Sequence, residues 1–331
     1  MKIGILGAGS WGTALAKLLN GNGHEVTVWS IDAEEIVMLN EYHEHRSKLP
    51  GVMLAGDVRF TTDVQIVVEG ADMLVMVVPS PFVRSTAKTI APYVAQGQLI
   101  VNASKGIEES TLMLLDEVIK SEVPQAKVGV ISGPSHAEEV GLSMPTTVVA
   151  GSKDEEVAKH IQDTFMNDFF RVYTSTDVLG IELGAALKNV IALAAGMADG
   201  AGCGDNTKAA LITRGIAEIA RLGVKMGGKP DTFSGLSGIG DLIVTCESKH
   251  SRNRRAGFLI GQGKTYHEAM DEVQMVVEGV YSAKAALALA KKYEAEMPIV
   301  EVVNKVLFED LKIDEAIKLL LTREKTAEVH G

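Results

Sequence analysis

Only two cysteines occur in the 331 residues, Cys203 and Cys246, far apart and in no CxxC pair. Their scarcity excludes a disulfide framework and a cysteine zinc site, and it suits a reducing compartment. Aromatic residues make up 5%, too few for the stacking platforms that hold single-stranded nucleic acid. Positive charge is the minority, with 32 Lys and Arg against 43 Asp and Glu and a formal net charge of −11. Such a chain repels nucleic acid and anionic membrane as a whole, so an anion site must be a local basic pocket. Long apolar runs are also missing. The richest stretch, Leu183 to Ala198, is interrupted by Lys188 and Asn189 and falls short of the roughly 18 residues a membrane span requires. The opening MKIGILGAGS has one lysine and a very short apolar run, a strand meeting glycines rather than a signal peptide. A soluble, cytoplasmic protein is expected. With 46% hydrophobic and 23% charged residues an ordinary core is available, and at roughly 150 residues per domain the length suggests two domains.

The first half alternates strands and helices. Apolar runs at Lys2 to Leu6, Glu25 to Trp29, Met73 to Val78, Gln98 to Asn102, Lys127 to Ile131 and Thr146 to Ala150 read as buried strands. Helical spacing at Trp11 to Asn20, Thr111 to Lys120 and Glu155 to Phe165 separates several of them. Near-continuous apolar strands between helices indicate a parallel sheet covered on both faces. After about Asp177 helical periodicity dominates, at Val178 to Asp199, Thr207 to Leu222, Ser251 to Gln262, Tyr281 to Tyr293 and Val300 to Leu307. The expected architecture is a Rossmann-like doubly wound α/β domain over residues 1–178, followed by an all-α domain over residues 179–331.

Chemistry concentrates in a few clusters. Gly7-Ala8-Gly9-Ser10-Trp11-Gly12 follows the first strand and opens the first helix, which gives each glycine a task in binding a dinucleotide. The helix N-terminus presents free amides to the phosphates. An acid near the end of the second strand would grip the adenine ribose, and Asp32 lies slightly beyond the usual place. No arginine follows that strand directly to hold a 2′-phosphate; Arg46 and Lys48 come later. A surface Asp32 without a ligand role is an equal alternative. Val78-Pro79-Ser80-Pro81, Asn102-Ala103-Ser104-Lys105-Gly106 and Ser132-Gly133-Pro134-Ser135-His136-Ala137 all fall at strand ends, where a doubly wound sheet forms its ligand crevice. Lys188 sits in an apolar, small-residue helix, where burial is costly unless the charge is paired or used. Desolvation would lower its pKa and suit it to proton transfer, although a lysine reaching water along its stem is the plainer alternative. The stretch Gly235 to Cys246 surrounds Asp241 with glycines. Four basic side chains then fall between Lys249 and Arg255, a local reversal of charge suited to phosphate or carboxylate. His43-Glu44-His45 lacks metal-ligand spacing, and Cys246 has no base placed beside it, so neither a metal site nor a thiol nucleophile is expected.

Taken together, GxGxWGTALA at the N-terminus, ASKGIE at 103–108, SGPS at 132–135 and ELGAALKNVIALAAG at 182–196 resemble the bacterial NAD(P)-dependent glycerol-3-phosphate dehydrogenase family. GDNTKAALITRG at 204–215, GLSGIGDLIVTC at 235–246, SRN at 251–253 and VEG at 277–279 extend the likeness in order along most of the chain. The resemblance implies an architecture like that of 6-phosphogluconate dehydrogenase and NADH- or NADPH-dependent reduction of dihydroxyacetone phosphate to sn-glycerol 3-phosphate, for phospholipid synthesis, with no metal. It implies catalytic roles for Lys188, Lys105 and Asp241, with Lys188 as proton donor. Lys105, Gly133, Ser135, Lys188, Asp241, Thr245, Ser251, Arg252 and Asn253 would bind substrate, Arg252 and Asn253 near its phosphate. Cofactor contacts would come from Gly7, Gly9, Ser10, Trp11, Gly12, Asp32, Lys48, Lys105, Ala137, Arg252, Val276 and Glu278. A homodimer is implied, with no nucleic-acid partner and no membrane insertion. Three positions depart from the family pattern. Ile31 stands where histidine or arginine is common, Lys48 where an aromatic is common, and His136 where phenylalanine is usual. The first two leave the choice between NADH and NADPH open. Two rivals remain: a related hydroxy-acid dehydrogenase of the same architecture, and a non-catalytic dinucleotide sensor.

Overall fold

A computed structural model describes residues 1–325, 327 and 328. Strands and helices alternate from the start: β1 (Lys2–Leu6), α1 (Ser10–Gly21), β2 (Glu25–Trp29), α2 (Ala33–Tyr42), β3 (Arg59–Thr61), α3 (Val64–Val68), β4 (Met73–Met76) and α4 (Val83–Ile90). The pattern continues with β5 (Leu99–Asn102), α5 (Leu115–Glu122), β6 (Lys127–Ser132), α6 (Ala137–Gly141), β7 (Thr146–Gly151), α7 (Glu155–Phe165) and β8 (Phe170–Ser175). All eight strands join one sheet in the order β3-β2-β1-β4-β5-β6-β7-β8. The chain moves outward from β1 to β3, then returns to place β4 on the other side of β1. That reversal opens a crevice above the carboxyl ends of β1 and β4, where doubly wound sheets bind ligands.

The central strands are buried on both faces: Ile3, Ile5, Met73, Val75 and Val101 pack on one side, and Leu6, Leu74, Met76 and Ile100 on the other. The sheet is not wholly parallel, which corrects the expectation from the apolar runs. β7 runs antiparallel to β6, with Val130 opposite Gly151 and Ser132 opposite Val149. A parallel crossover needs a helix long enough to carry the chain back along the sheet, and the link here holds only the five-residue α6. Apolarity reports burial and not direction, so the apolar run of β7 was read as one more parallel strand. The two edge strands escaped the pattern for a related reason. β3 is three residues long, and β8 alternates buried Phe170 and Val172 with exposed Arg171 and Tyr173.

Helices follow: α8 (Val178–Gly200), α9 (Asp205–Lys225), α10 (Pro230–Phe233), α11 (Asp241–Glu247), α12 (Arg252–Gly261), α13 (Tyr266–Val273), α14 (Glu278–Lys292), α15 (Pro298–Phe308) and α16 (Ile313–Leu321). The 23-residue α8 is their axis, buried almost throughout. It is long and apolar enough to cross a membrane, but its apolar length is buried inside the protein. Small residues allow α12 to lie directly against it. A Cβ on Gly196 would come within 2.1 Å of the Arg254 carbonyl oxygen, and one on Gly257 within 2.2 Å of that of Leu193. This backbone contact fixes α12 against α8, and the Asn253–Asn189 hydrogen bond holds its first turn, and with it Arg252, beside Asn189.

Candidate active site

The turn from β1 into α1 is shaped for a phosphate-bearing ligand. Gly7 has φ +121°, a conformation that side-chain-bearing residues rarely adopt, and a Cβ on Gly12 would lie 1.9 Å from the Gly7 carbonyl oxygen. Gly9 caps α1 without a side chain, and nothing lies within 4 Å of where its Cβ would be. The first hydrogen bond of the helix runs from the Thr13 N–H to the Gly9 carbonyl, so the amides of Ser10, Trp11 and Gly12 have no partner within the helix. Open space over uncapped amides at the positive end of a helix dipole fits a dinucleotide pyrophosphate.

Across the crevice, the end of β5 and the helical layer meet in a cluster of charge. Lys188 Nζ donates to Asp241 Oδ1 at 2.5 Å and to Thr245 Oγ1 at 2.7 Å. Lys105 Nζ donates to Asp241 Oδ2 at 2.7 Å and to the Gly133 carbonyl at 3.1 Å. Thr245, one turn along α11, donates its own hydroxyl hydrogen bond to the Asp241 carbonyl at 2.6 Å. Both carboxylate oxygens of Asp241 are thus occupied by ammonium groups arriving from different layers. Burial pushes the Asp241 carboxyl up, but the Lys105 and Lys188 charges and their hydrogen bonds outweigh it and hold the group below its ordinary value. Burial also dominates at Lys188. It takes the ammonium down to about 8, aided by the Lys105 charge and resisted by Asp241.

The remaining positions divide into those that face the cleft and those held by the scaffold. Arg252 opens α12 and has no hydrogen bond or ion pair among the described residues. Burial draws its pKa down, while Glu278 and Glu138 act in the opposite sense. A half-buried guanidinium without a partner has its planar donor array available to an anion. Ser135 Oγ donates to the Gly133 carbonyl, Ala137 begins α6 and is buried, and Val276 lies half-buried ahead of α14. Ser251 caps α12 by accepting from the Arg254 N–H. The amide of Asn253 is engaged on both sides, donating to Asn189 Oδ1 at 2.9 Å and accepting the Gly279 N–H at 2.8 Å. Ser251 and Asn253 are thus both engaged in hydrogen bonds within the protein. Glu278 joins the two layers. Its carboxylate accepts the Ser80 N–H at 3.0 Å and the Ser80 hydroxyl. Asp32 caps α2, accepting from the N–H groups of Glu34 and Glu35, and Lys48 donates to Glu35 at 2.6 Å.

Sequence reading passed over one buried link. Glu182 lies on α8, and its carboxyl accepts from Asn102 Nδ2 at 2.5 Å and from the Asp116 N–H at 3.1 Å. Asn102 Oδ1 accepts from the Ser104 N–H, so the helix of Lys188 is tied to the loop of Lys105. A polar residue inside an apolar helix was the available signal. Cys246 is fully buried, its thiol pushed up to about 12 by burial, which makes it a poor nucleophile. His45 turns toward Glu35, and no group of three His, Cys, Asp or Glu suited to a metal ion occurs among the described residues.

A doubly wound sheet with a glycine turn, facing a buried lysine–aspartate–lysine cluster on a helical layer, defines a two-domain dinucleotide-dependent dehydrogenase. Comparison with known proteins sharpens this. The chain belongs to the NAD-dependent glycerol-3-phosphate dehydrogenase family, matching the N-terminal family model over residues 2–158 and the C-terminal model over residues 177–318. It is 62% identical over 327 residues to the glycerol-3-phosphate dehydrogenase [NAD(P)+] of Agathobacter rectalis, covering 99% of this chain and 97% of that one. Identity to the enzyme of the same name from Bacillus subtilis is 51% over 331 residues, covering 99% and 96%. The crystal structure of glycerol-3-phosphate dehydrogenase from Coxiella burnetii superposes with a TM-score of 0.94 at 37% identity, covering 97% of this chain and 99% of that one.

Proposed function

We propose that this chain reduces dihydroxyacetone phosphate to sn-glycerol 3-phosphate with NADH or NADPH, reversibly, and so supplies a phospholipid precursor. The observation that carries this reading is Asp241 bridging Lys188 and Lys105 at the carboxyl edge of the sheet. Residues 1–178 hold the dinucleotide in this reading, with its pyrophosphate over the amides of Ser10 and Trp11, and residues 179–331 supply the substrate wall. A cytoplasmic homodimer accords with the family.

When bound, reduced nicotinamide supplies the hydride; the chain's own residues do the rest. An ammonium carries three protons. Lys188 directs one to Asp241 and one to Thr245, leaving one for the substrate oxygen. Lys105 directs one to Asp241 and one to Gly133, again leaving one. Two spare donors on either side of a buried carboxylate can therefore meet one carbonyl oxygen and stabilise the negative charge that develops on it. Lys188 then releases its proton to that oxygen, and a pKa of about 8 lets it recover a proton near neutral pH. Asp241 keeps the two ammonium groups together despite their repulsion. Arg252, uncommitted and half-buried, receives the substrate phosphate.

The reading is tested by following absorbance while NADH or NADPH is mixed with dihydroxyacetone phosphate and the purified chain. Consumption of either dinucleotide, with glycerol 3-phosphate formed, is expected. A folded chain that binds the dinucleotide and consumes neither would overturn the reading.

A further inference from the structure

The carboxyl end of β2 holds a second buried carboxylate that the reaction does not use. Glu35 accepts from Ser30 Oγ at 2.5 Å, from Lys48 Nζ at 2.6 Å and from His45 Nε2 at 2.6 Å. His45 Nδ1 accepts the Lys48 N–H at 3.2 Å, which places the ring proton on Nε2 and makes that nitrogen a donor to Glu35. The three donors, and the Lys48 charge beside them, outweigh desolvation and hold the Glu35 carboxyl down at about 2. Lys48 is thus a partnered cation whose charge is cancelled a hydrogen bond away. The other cation of this loop, Arg46, lies over the Tyr42 ring at 3.4 Å and 3.6 Å from Glu44.

Between Ser30 and Tyr42 the chain carries no Lys or Arg. Ile31 is 85% exposed and apolar. Asp32, Glu34 and Glu35 crowd the first turn of α2, where the helix dipole would otherwise favour an anion. Asp32 caps the helix through Oδ1 alone, and Oδ2 makes no hydrogen bond among the described residues. An acceptor oxygen suits a ribose hydroxyl, whereas a 2′-phosphate needs an unpaired cation.

We propose that the Ser30–Glu35–His45–Lys48 cluster sets the dinucleotide preference, cancelling the Lys48 charge so that the chain selects NADH over NADPH. This rests on the dehydrogenase reading above and decides what that reading leaves open. Glu35 acts here through Lys48, as a positioning residue. Ser30 and His45 hold its carboxylate in register with the ammonium.

The test is equilibrium binding, read by calorimetry, of NADH, NADPH, 5′-AMP and adenosine 2′,5′-bisphosphate. Wild type is expected to bind NADH at least about tenfold more tightly than NADPH, the factor that one charge-assisted contact commonly makes. Glu35→Gln frees the Lys48 ammonium. It should tighten NADPH and the bisphosphate by about tenfold while leaving NADH and 5′-AMP unchanged, a gain that Lys48→Ala in the same chain should cancel. The salt dependence of the wild-type chain gives a second reading that needs no variant. A balanced cluster makes the bisphosphate no more salt-sensitive than 5′-AMP allows for its extra charge in bulk solution. Equal or tighter NADPH binding in wild type, or a steep salt dependence carried by the 2′-phosphate, overturns the proposal while leaving the dehydrogenase reading intact. Failure to bind any of the four overturns both.

Discussion

Lys188 Nζ and Asp241 Oδ1 lie 2.5 Å apart, both almost wholly removed from solvent, and the other oxygen of Asp241 holds Lys105. A buried ion pair is a poor source of stability, because desolvation offsets most of the attraction. Its place at the crevice points instead to chemistry. Removing Asp241 would leave two ammonium groups facing each other without a counter-charge.

Asp241→Asn takes away the interaction that raises the Lys188 pKa and keeps the burial that lowers it. In the proposed mechanism reduction requires the protonated lysine, so wild-type reduction is expected to fall as pH rises through about 8. The Asn variant should lose reduction at a lower pH than wild type, and its rate at neutral pH should drop. Steady-state pH profiles measured on both proteins check this; superimposable profiles would separate Asp241 from the titration of Lys188.

Arg252→Ala is expected to raise KM for dihydroxyacetone phosphate by about 10- to 100-fold, as loss of a charge-assisted contact does, with a smaller effect on kcat. Arg252→Lys should recover only part of the loss, because an ammonium cannot reproduce the planar fork of a guanidinium. Kinetics with substrate and with dihydroxyacetone, which lacks the phosphate, make the comparison. Equal losses on both would place the phosphate elsewhere.

Glu218 on α9 caps the start of α15, accepting from the Ile299 and Val300 N–H groups, and burial pushes it up to about 7. A carboxyl whose folded pKa exceeds its unfolded value binds more protons when folded, so its contribution to stability is lost as pH rises from about 4.5 to about 7. Glu218→Gln removes that proton linkage. Its thermal midpoint should therefore fall less than that of wild type between pH 5 and pH 8, as scanning calorimetry would record.

The central sheet was legible because β1, β4 and β5 are buried on both faces and read as unbroken apolar runs. The α8 helix was legible for the same reason, and the glycine turn through its position between a strand and a helix. Edge strands β3 and β8 were not, because one is too short and the other is only half covered. Lys188 stood out as a charge in an apolar helix. Its partnership with Asp241 did not, since the two are 53 residues apart and α11 must fold back onto α8 to join them. The Glu35 cluster was hidden in the same way. Lys48 and Asp32 were visible as charges near the end of β2, but that Glu35 captures the lysine depends on the path of the loop after α2.

The central claim is that Lys188 delivers the proton to the substrate oxygen, and the kcat of Lys188→Met against pH tests it most directly. A chain that folds, binds NADH as wild type does, turns over about 10²- to 10⁴-fold more slowly and has lost the inflection near pH 8 is the expected result. Turnover close to wild type, with the inflection retained, would contradict it.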